Sequence, residues 1–290
     1  MDTQNLAAFV EVAESSSFSQ AAETLHLTQP AVSKRIATLE SQLDCKLFDR
    51  INRSVQLTEA GHSLLPKAKH ILLSVQEAKR SIDDLQGEIS GQLRLGISHH
   101  IGLHRLPPVL QAFTRKYPQV HFDIDFMDSE EAHEQVMHGQ IELGVVTLDP
   151  ADNSPLDRQP IWQDDLVVAI APDHPLAPLE SVNISTLSQF PAILPGLNTY
   201  TGQIIKKLFQ QHRLKLDISM ATNYLETLKM MVSIGLGWSV LPHTMIDSSL
   251  KVLEVQDIKL HRALGYVAHP NRSLSNAANA FVLALRAGAN

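Results

Sequence analysis

Only one cysteine, Cys45, occurs in 290 residues. A lone thiol cannot close an internal disulfide, so no disulfide scaffold holds the fold, as suits a reducing compartment. Long apolar runs are missing as well. The longest candidates, such as Leu166–Ala171, have the length of buried strands and fall far short of the roughly eighteen residues needed to cross a bilayer. The opening Met1-Asp2-Thr3-Gln4-Asn5 has no basic stretch ahead of an apolar one. No export signal is therefore read, and a cytoplasmic chain with no membrane partner is expected. The sequence contains no G-x-S-x-G, P-loop or G-x-G-x-x-G, and Gly235-Leu236-Gly237-Trp238 reads as a helix-to-strand turn. No catalytic residue is assigned. An excess of positive charge is lacking too. The net charge is −7, and residues 1–90 hold nine Lys or Arg against twelve Asp or Glu. Bulk attraction to nucleic acid is excluded, so any nucleic-acid surface must gather its cations on one face.

What is present is a hydrophobic fraction of 44 %, enough for two or three units with cores of their own. Leu6, Phe9, Val10 and Ala13 recur at helical spacing and give a first helix one apolar face. Ser17-Phe18-Ser19-Gln20 matches a capping box. Ser17 should accept from the Gln20 N–H while the Gln20 side chain reaches back. A short helix follows from Ser19 to about Leu25, with Ala21 and Ala22 small enough for a close neighbour. Thr28 is expected to cap a third helix with Gln29 and Pro30 in its first turn. In that helix Val32, Ile36, Leu39 and Leu43 form a buried stripe, while Gln29, Pro30, Ser33, Lys34 and Arg35 gather near the N-terminal end of the other side.

Helix, tight turn and a second helix with polar and basic groups at its exposed start is the helix-turn-helix arrangement, whose second helix reads base edges in the major groove. Gln29 suits adenine, and Lys34 or Arg35 suit guanine or phosphate. The run from Asp49 to Leu57 reads as a two-stranded wing, with Arg50 and Arg53 at its turn to hold phosphate or enter the minor groove. An isolated Lys-Arg pair would be a solvated helix face; inside this ordered pattern it reads as DNA contact.

The run Phe9-x-x-Val12-Ala13, Ser17-Phe18-Ser19-Gln20-Ala21-Ala22, Leu27-Thr28-Gln29-Pro30-Ala31-Val32-Ser33, Leu39-Glu40, Leu47-Phe48-x-Arg50 and Leu57-Thr58-x-Ala60-Gly61 resembles the LysR-type transcriptional regulators over about sixty residues. The resemblance implies a winged helix-turn-helix, a long dimerisation helix and a periplasmic-binding-protein-like effector domain of two α/β subdomains. It implies DNA contact by Gln29, Pro30, Ser33, Lys34 and Arg50, to which the residue reading adds Ala31, Arg35 and Arg53. It further implies double-stranded promoter DNA as partner, an interrupted palindrome with A·T-rich half-sites, and dimers pairing through effector domains into a homotetramer. RNA polymerase is left open as a further partner.

The expected domains are 1–58 for the reading head, 59–88 for the linker helix, 89–92 for a hinge and 93–290 for the effector domain. Within the last, subdomain I takes 93–161 and 267–290 and subdomain II takes 162–266. Gly61, Leu64, Ala68, Ile71, Val75, Ala78, Ile82, Leu85 and Ile89 alternate spacings of three and four, a coiled-coil seam. Packing within the chain is the alternative. Pro66 should kink or break this helix, and Gly87 and Gly91 bracket the hinge.

Leu93–Ile97 reads as a buried strand, Ser98–Ile101 as a loop, and a helix then runs to Lys116 before a strand at Val120–Phe126. Residues 191–220 repeat that plan. The alternation predicts mostly parallel sheets with a ligand outside the strands' carboxyl ends. The arrangement resembles periplasmic-type solute-binding domains, and carried over by position that resemblance implies a cleft lined by Ser98, His99, His100, Ile101, Thr147, Asn198, Thr199, Tyr200, Thr201 and Asn223. Because Ser98 to His100 precede a helix N-terminus, the effector is expected to be a small anion; no other cofactor is assigned. Ser98 and Thr199 as plain helix caps is the bland alternative. Fourteen histidines raise a metal reading. His99, His100 and His104, or Glu130, His133, Glu134 and His138, are candidate ligands, but neither group has H-E-x-x-H order. They are read as solvated histidines, and no metal is assigned. Cys45, between Leu43 and Leu47, reads as a buried inert thiol. A free-standing solute-binding protein is the alternative reading of residues 92–290.

Overall fold

The computed structural model describes residues 1–51, 54–83, 87–151 and 154–288. The chain divides into two compact units, one built on residues 1–88 and one on residues 89–137 and 141–290.

In the first unit α1 (Thr3–Ser15), α2 (Phe18–Thr24) and α3 (Gln29–Leu43) pack around Leu6, Phe9, Val12, Ala21, Val32, Ile36 and Leu39. Ser17 caps α2 by accepting from Gln20 N at 3.2 Å, but the Gln20 amide turns to Glu23, so the capping box is only half formed. His26, at φ 53°, turns the chain toward α3. Thr28 precedes α3 without capping it through its side chain, contrary to expectation; Pro30 in the first turn needs no donor. The hairpin β1 (Phe48–Ile51) and β2 (Ser54–Leu57) forms the wing, and Phe48 meets the rings of Phe9 and Phe18.

The helix α4 (Glu59–Asp83) runs through Pro66 unbroken, so the expected break is absent. Its start is pinned to the head. Thr58 Oγ1 accepts from Gly61 N and donates to Lys46 O at 2.7 Å, and a Cβ on Gly61 would lie 2.3 Å from Leu47 O. The seam is split along its length. Leu64, Ala68 and Ile71 pack into the head's own core, while Val75 and Ile82 stay 50 % and 67 % exposed. Leu85 lies outside the described residues, and Ile89 packs into the second unit's core.

That second unit opens with β3 (Gly91–Ser98), the short α5 (His99–His104), α6 (Pro107–Lys116), β4 (Val120–Met127), α7 (Ser129–Met137) and β5 (Leu143–Thr147). Gly91 and Gln92, read as hinge, are already strand. Ser98 ends β3 and His99 to Ile101 begin α5, where a loop was expected. The long β6 (Asp157–Ile170) then leads to β7 (Ser181–Val182), α8 (Ile184–Leu187) and β8 (Ala192–Leu194). After these come α9 (Tyr200–Gln211), β9 (Ile218–Ala221), α10 (Leu225–Ser233), β10 (Ser239–Pro242) and β11 (Lys251–Val255). Finally β12 (Leu260–Ala268) leads into α11 (Asn276–Ala287).

Strands β4, β3 and β5 pair in parallel, but β12 runs antiparallel between β5 and β6, so the sheet is mixed. The first half of β6 escaped the sequence reading because its Asp157–Gln163 stretch is polar and contains Pro160. A register shift opposite Leu264 and Gly265 accommodates that proline as a bulge. Both β6 and β12 cross between two apolar cores. Leu264 and Tyr266 belong to the first, with β3 and α11, while Leu166, Val168 and Ile170 belong to the second, with β8 and α9. The crossing therefore falls near residues 164 and 262, not at the expected 162 and 266.

Glu40 ties the head together from inside. The residue is 9 % exposed and accepts from Leu47 N at 2.9 Å and Lys46 Nζ at 2.7 Å. Burial pushes its carboxyl up, yet the Lys46 and Leu47 contacts outweigh that and hold it below its usual value. Glu40→Ala strands the Leu47 donor and should cost about 1–3 kcal/mol of stability in urea unfolding, whereas Glu40→Gln, which still accepts from Leu47, should lose less.

Candidate functional site

The first site is the start of α3. Its aliphatic stripe is committed to the core, so the opposite face must meet solvent: Gln29, Pro30 and Lys34 are exposed, and Ala31 and Ser33 partly so. Arg35 is partly buried, and its guanidinium donates to Gln4 Oε1 at 2.8 Å, which ties α3 to α1. Arg50 lies on β1, where only the backbone is described, and Arg53 lies outside the described residues.

The second site is a cleft between the two apolar cores of the second unit. Ser98, His99, His100, Thr147, Thr199, Tyr200, Thr201 and Asn223 line one cavity of about 60 Å³. Two sequence candidates are absent from it. Ile101 is fully buried in the first core, because the turn of α5 points it inward. Asn198 is exposed beside the groove along α9 and β12.

Asp128, Glu130 and Arg262 also line the cavity and were not foreseen there, nor was Asp164, which Arg262 engages. Asp164 on β6 and Arg262 on β12 sit directly opposite each other, and Arg262 Nη2 donates to Asp164 Oδ2 at 2.9 Å. Arg105 Nη2 reaches the other carboxylate oxygen at 2.8 Å, and Arg262 Nη1 donates to Thr201 Oγ1 at 2.9 Å. Burial alone would raise the Asp164 carboxyl; contacts with His100, Arg262 and Arg105 overcome it and hold the group far below the usual carboxylate range. His100 Nε2 lies 3.3 Å from Asp164 Oδ2, but neither ring nitrogen makes a well-aligned hydrogen bond. Burial lowers the His100 value, and Arg262 adds to that against the pull of Asp164. Its contact with Asp164 is an ion pair only when the imidazole is protonated, which burial disfavours.

Two further carboxylates span the cleft. Asp128, after β4, accepts from Asn223 Nδ2 at 2.6 Å, and Asn223 Oδ1 in turn accepts from Gly196 N at 3.0 Å. Glu130, at the start of α7, accepts from Tyr200 N at the start of α9. Burial is the main cause that raises the Glu130 carboxyl, with the charges of Asp128 and Asp149 adding, against the lowering pull of the Tyr200 N–H. Thr199 caps α9 by accepting from Gly202 N at 3.1 Å, as the bland reading had it. A Cβ on Gly202 would lie 2.1 Å from Gly196 O, so this loop can wrap α9 only around glycine. Ser98 Oγ, buried against the cleft, has no hydrogen-bond partner among the described residues. The histidines are not simply solvated: His100 and His133 are 7 % and 4 % exposed, and His133 pairs with Ser154 Oγ at 2.9 Å.

A winged reading head and, further along the same chain, a small polar cleft between two α/β layers define a ligand-responsive DNA-binding regulator. Comparison with known proteins agrees. Residues 3–62 match the family described as bacterial regulatory helix-turn-helix protein, lysR family, and residues 86–290 match the LysR substrate binding domain. A probable RuBisCO transcriptional regulator from Synechocystis sp. is 32 % identical over 281 residues, 93 % of this chain and 81 % of that protein. An uncharacterised HTH-type transcriptional regulator of Azotobacter vinelandii is 60 % identical over 108 residues, 37 % of this chain and 75 % of that protein. Full-length CbnR, solved with its target DNA, has a similar fold (TM-score 0.70, 21 % identity, 99 % of this chain and 100 % of that chain). The chain belongs to the LysR family of transcriptional regulators. Members of that family are not enzymes, and the helix-turn-helix match disfavours a free-standing solute-binding protein. Among the described residues no helix is long and apolar enough to cross a membrane.

Asp164→Asn leaves two guanidinium groups facing a neutral amide and should cost about 3–5 kcal/mol in denaturant unfolding. Because the folded carboxyl is depressed, its contribution is present above its unfolded value, near pH 4 at roughly the model-peptide figure, and is lost as pH falls toward the folded value. The variant should accordingly show a flatter acid limb in its stability–pH profile than the parent.

Proposed function

We propose that this regulator reads promoter DNA through the start of α3 and changes its grip when a small anion enters the cleft. The observation that carries the first part is the exposure of Gln29, Pro30 and Lys34 at a helix tip whose other face is buried. Gln29 reads a base edge, Lys34 and the wing residues Arg50 and Arg53 hold phosphate, and Ala31 and Ser33 face the groove wall. Arg35 acts at one remove, by positioning α3 on α1. The apolar residues that α4 leaves exposed, Val75 and Ile82, support a dimer helix. At 1.5 Å per residue α4 spans about 38 Å, close to one turn of duplex between half-sites. Dimers pairing into a tetramer, contact with RNA polymerase and a cytoplasmic setting belong to the same reading, as do the boundaries that separate head, linker and effector domain.

The anion reading now rests on α9, since α5 is only six residues long. Glu130, a carboxylate of the chain itself, already occupies the Tyr200 N–H at the start of the twelve-residue α9. An incoming carboxylate or inorganic anion exchanges with Glu130 there and finds Ser98 Oγ as an unused donor. A cavity of about 60 Å³ favours a very small effector, since drug-sized ligands occupy roughly 300–1,000 Å³. Exchange replaces a contact between the two layers by contacts to the effector. Regulation then follows from the effector's differential affinity for the two arrangements.

In gel shifts on the chain's own upstream DNA, Gln29→Ala should cost about 1–3 kcal/mol and relax the preference at one base pair. Lys34→Ala should weaken binding to all sequences and lower the salt slope by about one. Unchanged binding in both variants refutes the reading surface. In calorimetry against small carboxylates and inorganic anions, Glu130→Gln should raise anion affinity by roughly tenfold, because a like charge leaves the site. Binding of only neutral or cationic compounds refutes the anion.

A further inference from the structure

Outside the hydrogen-bonded centre of the cleft, three metal-ligating side chains converge. His100 and His104 are four apart on α5 and so project from one face, with ring centroids 4.8 Å apart. Glu226, in the first turn of α10, comes from the opposite layer, and its Oε1 lies 2.6 Å from His104 Nε2. One ligand atom from each of the three lies within 4.8 Å of the others. In a tetrahedral zinc site with bonds of 2.0–2.1 Å, ligand atoms sit roughly 3.3 Å apart. The side chains of His104 and Glu226, 38 % and 46 % exposed, have room to make that adjustment.

A hydrogen bond between His104 and Glu226 explains those two residues and leaves His100 unexplained. Its side chain is 6 % exposed; Nε2 faces Asp164 Oδ2 at 3.3 Å without good alignment, and Nδ1 has no hydrogen-bond partner among the described residues, a condition that buried polar groups rarely tolerate. Coordination answers it. If Nδ1 takes the metal, Nε2 faces Asp164 Oδ2 at 3.3 Å, the carboxylate partner that metal-bound histidines ordinarily have.

We propose that His100, His104 and Glu226 form a binding site for a divalent transition-metal ion, zinc or a zinc-like cation, that bridges the two layers of the effector domain. Two imidazoles and one carboxylate select such a cation over magnesium or calcium, which prefer all-oxygen sets. Three protein ligands leave one position open, and His100 also lines the cleft, so the ion sits beside the effector site without replacing it. The bridge draws α5 and α10 together and sets the spacing of the two layers.

The test uses full-length protein freed of metal with a chelator and titrated with Co²⁺, read by its visible ligand-field bands, then with Zn²⁺ by calorimetry. One Co²⁺ per chain with bands of low-coordinate geometry, displaced by Zn²⁺, is expected. His104→Ala and Glu226→Gln should each weaken Zn²⁺ binding by at least about tenfold, while His212→Ala, an exposed histidine on another surface, leaves it unchanged. Metal-free melting curves of the variants show whether the fold persists, and His100→Asn supplies a third ligand variant should one fail to fold. Unaltered stoichiometry and affinity in the folded His104→Ala/Glu226→Gln double variant, or no ligand-field bands at equimolar Co²⁺, overturns the proposal.

Discussion

A single buried carboxylate organises the effector domain. Asp164 lies where β6 passes from one apolar core to the other, and β12 returns beside it with Arg262 in register. Two charges this deep are tolerable because each is paired and further hydrogen-bonded: Arg105 takes the second Asp164 oxygen, and Arg262 gives a further donor to Thr201. The ion cluster therefore reaches α5, α9 and both crossing strands at once. Through His100, Thr201 and Arg262 it forms one wall of the cleft.

Above that wall the layers are held by weaker, exchangeable contacts. Asp128 meets Asn223, and Glu130 meets the first N–H of α9. A hydrogen bond of this kind contributes on the order of 1 kcal/mol net, which a bound ligand can replace. The proposed response to a ligand rests on this contrast between a buried ionic cluster and replaceable polar ties. The reading head follows a different logic. There Glu40, Thr58 and Gly61 bind α3, the wing and α4 into one rigid body, which leaves the α3 tip exposed because nothing in the head covers it.

The head was legible in the sequence because its determinants are local. The 3.6-residue periodicity of α1 and α3, the serine before α2 and the proline opening α3 all act within a turn or two of themselves, and α2 and the start of α3 were placed to within a residue or so. Even there, partners remote in sequence were missed: Arg35 belongs to Gln4, thirty-one residues away, and the first half of the α4 seam belongs to the head's core. In the effector domain Ser98, Thr147, Thr199 and Asn223, expected together by resemblance to solute-binding domains, line one cavity. Ile101 and Asn198 were placed there wrongly, because adjacency in a loop does not say which way a side chain turns.

What the chain's order of residues determined by itself is the helices and wing of the head and the alternating α/β plan of the second unit, because apolar periodicity and turn chemistry act over short distances. Only the tertiary structure decided how the cleft is wired. Asp164 and Arg262 stand ninety-eight residues apart, Glu130 and Tyr200 seventy, and His104 and Glu226 one hundred and twenty-two. Nothing local distinguishes these charges from solvated ones; burial selects them, and burial is a property of the packed fold.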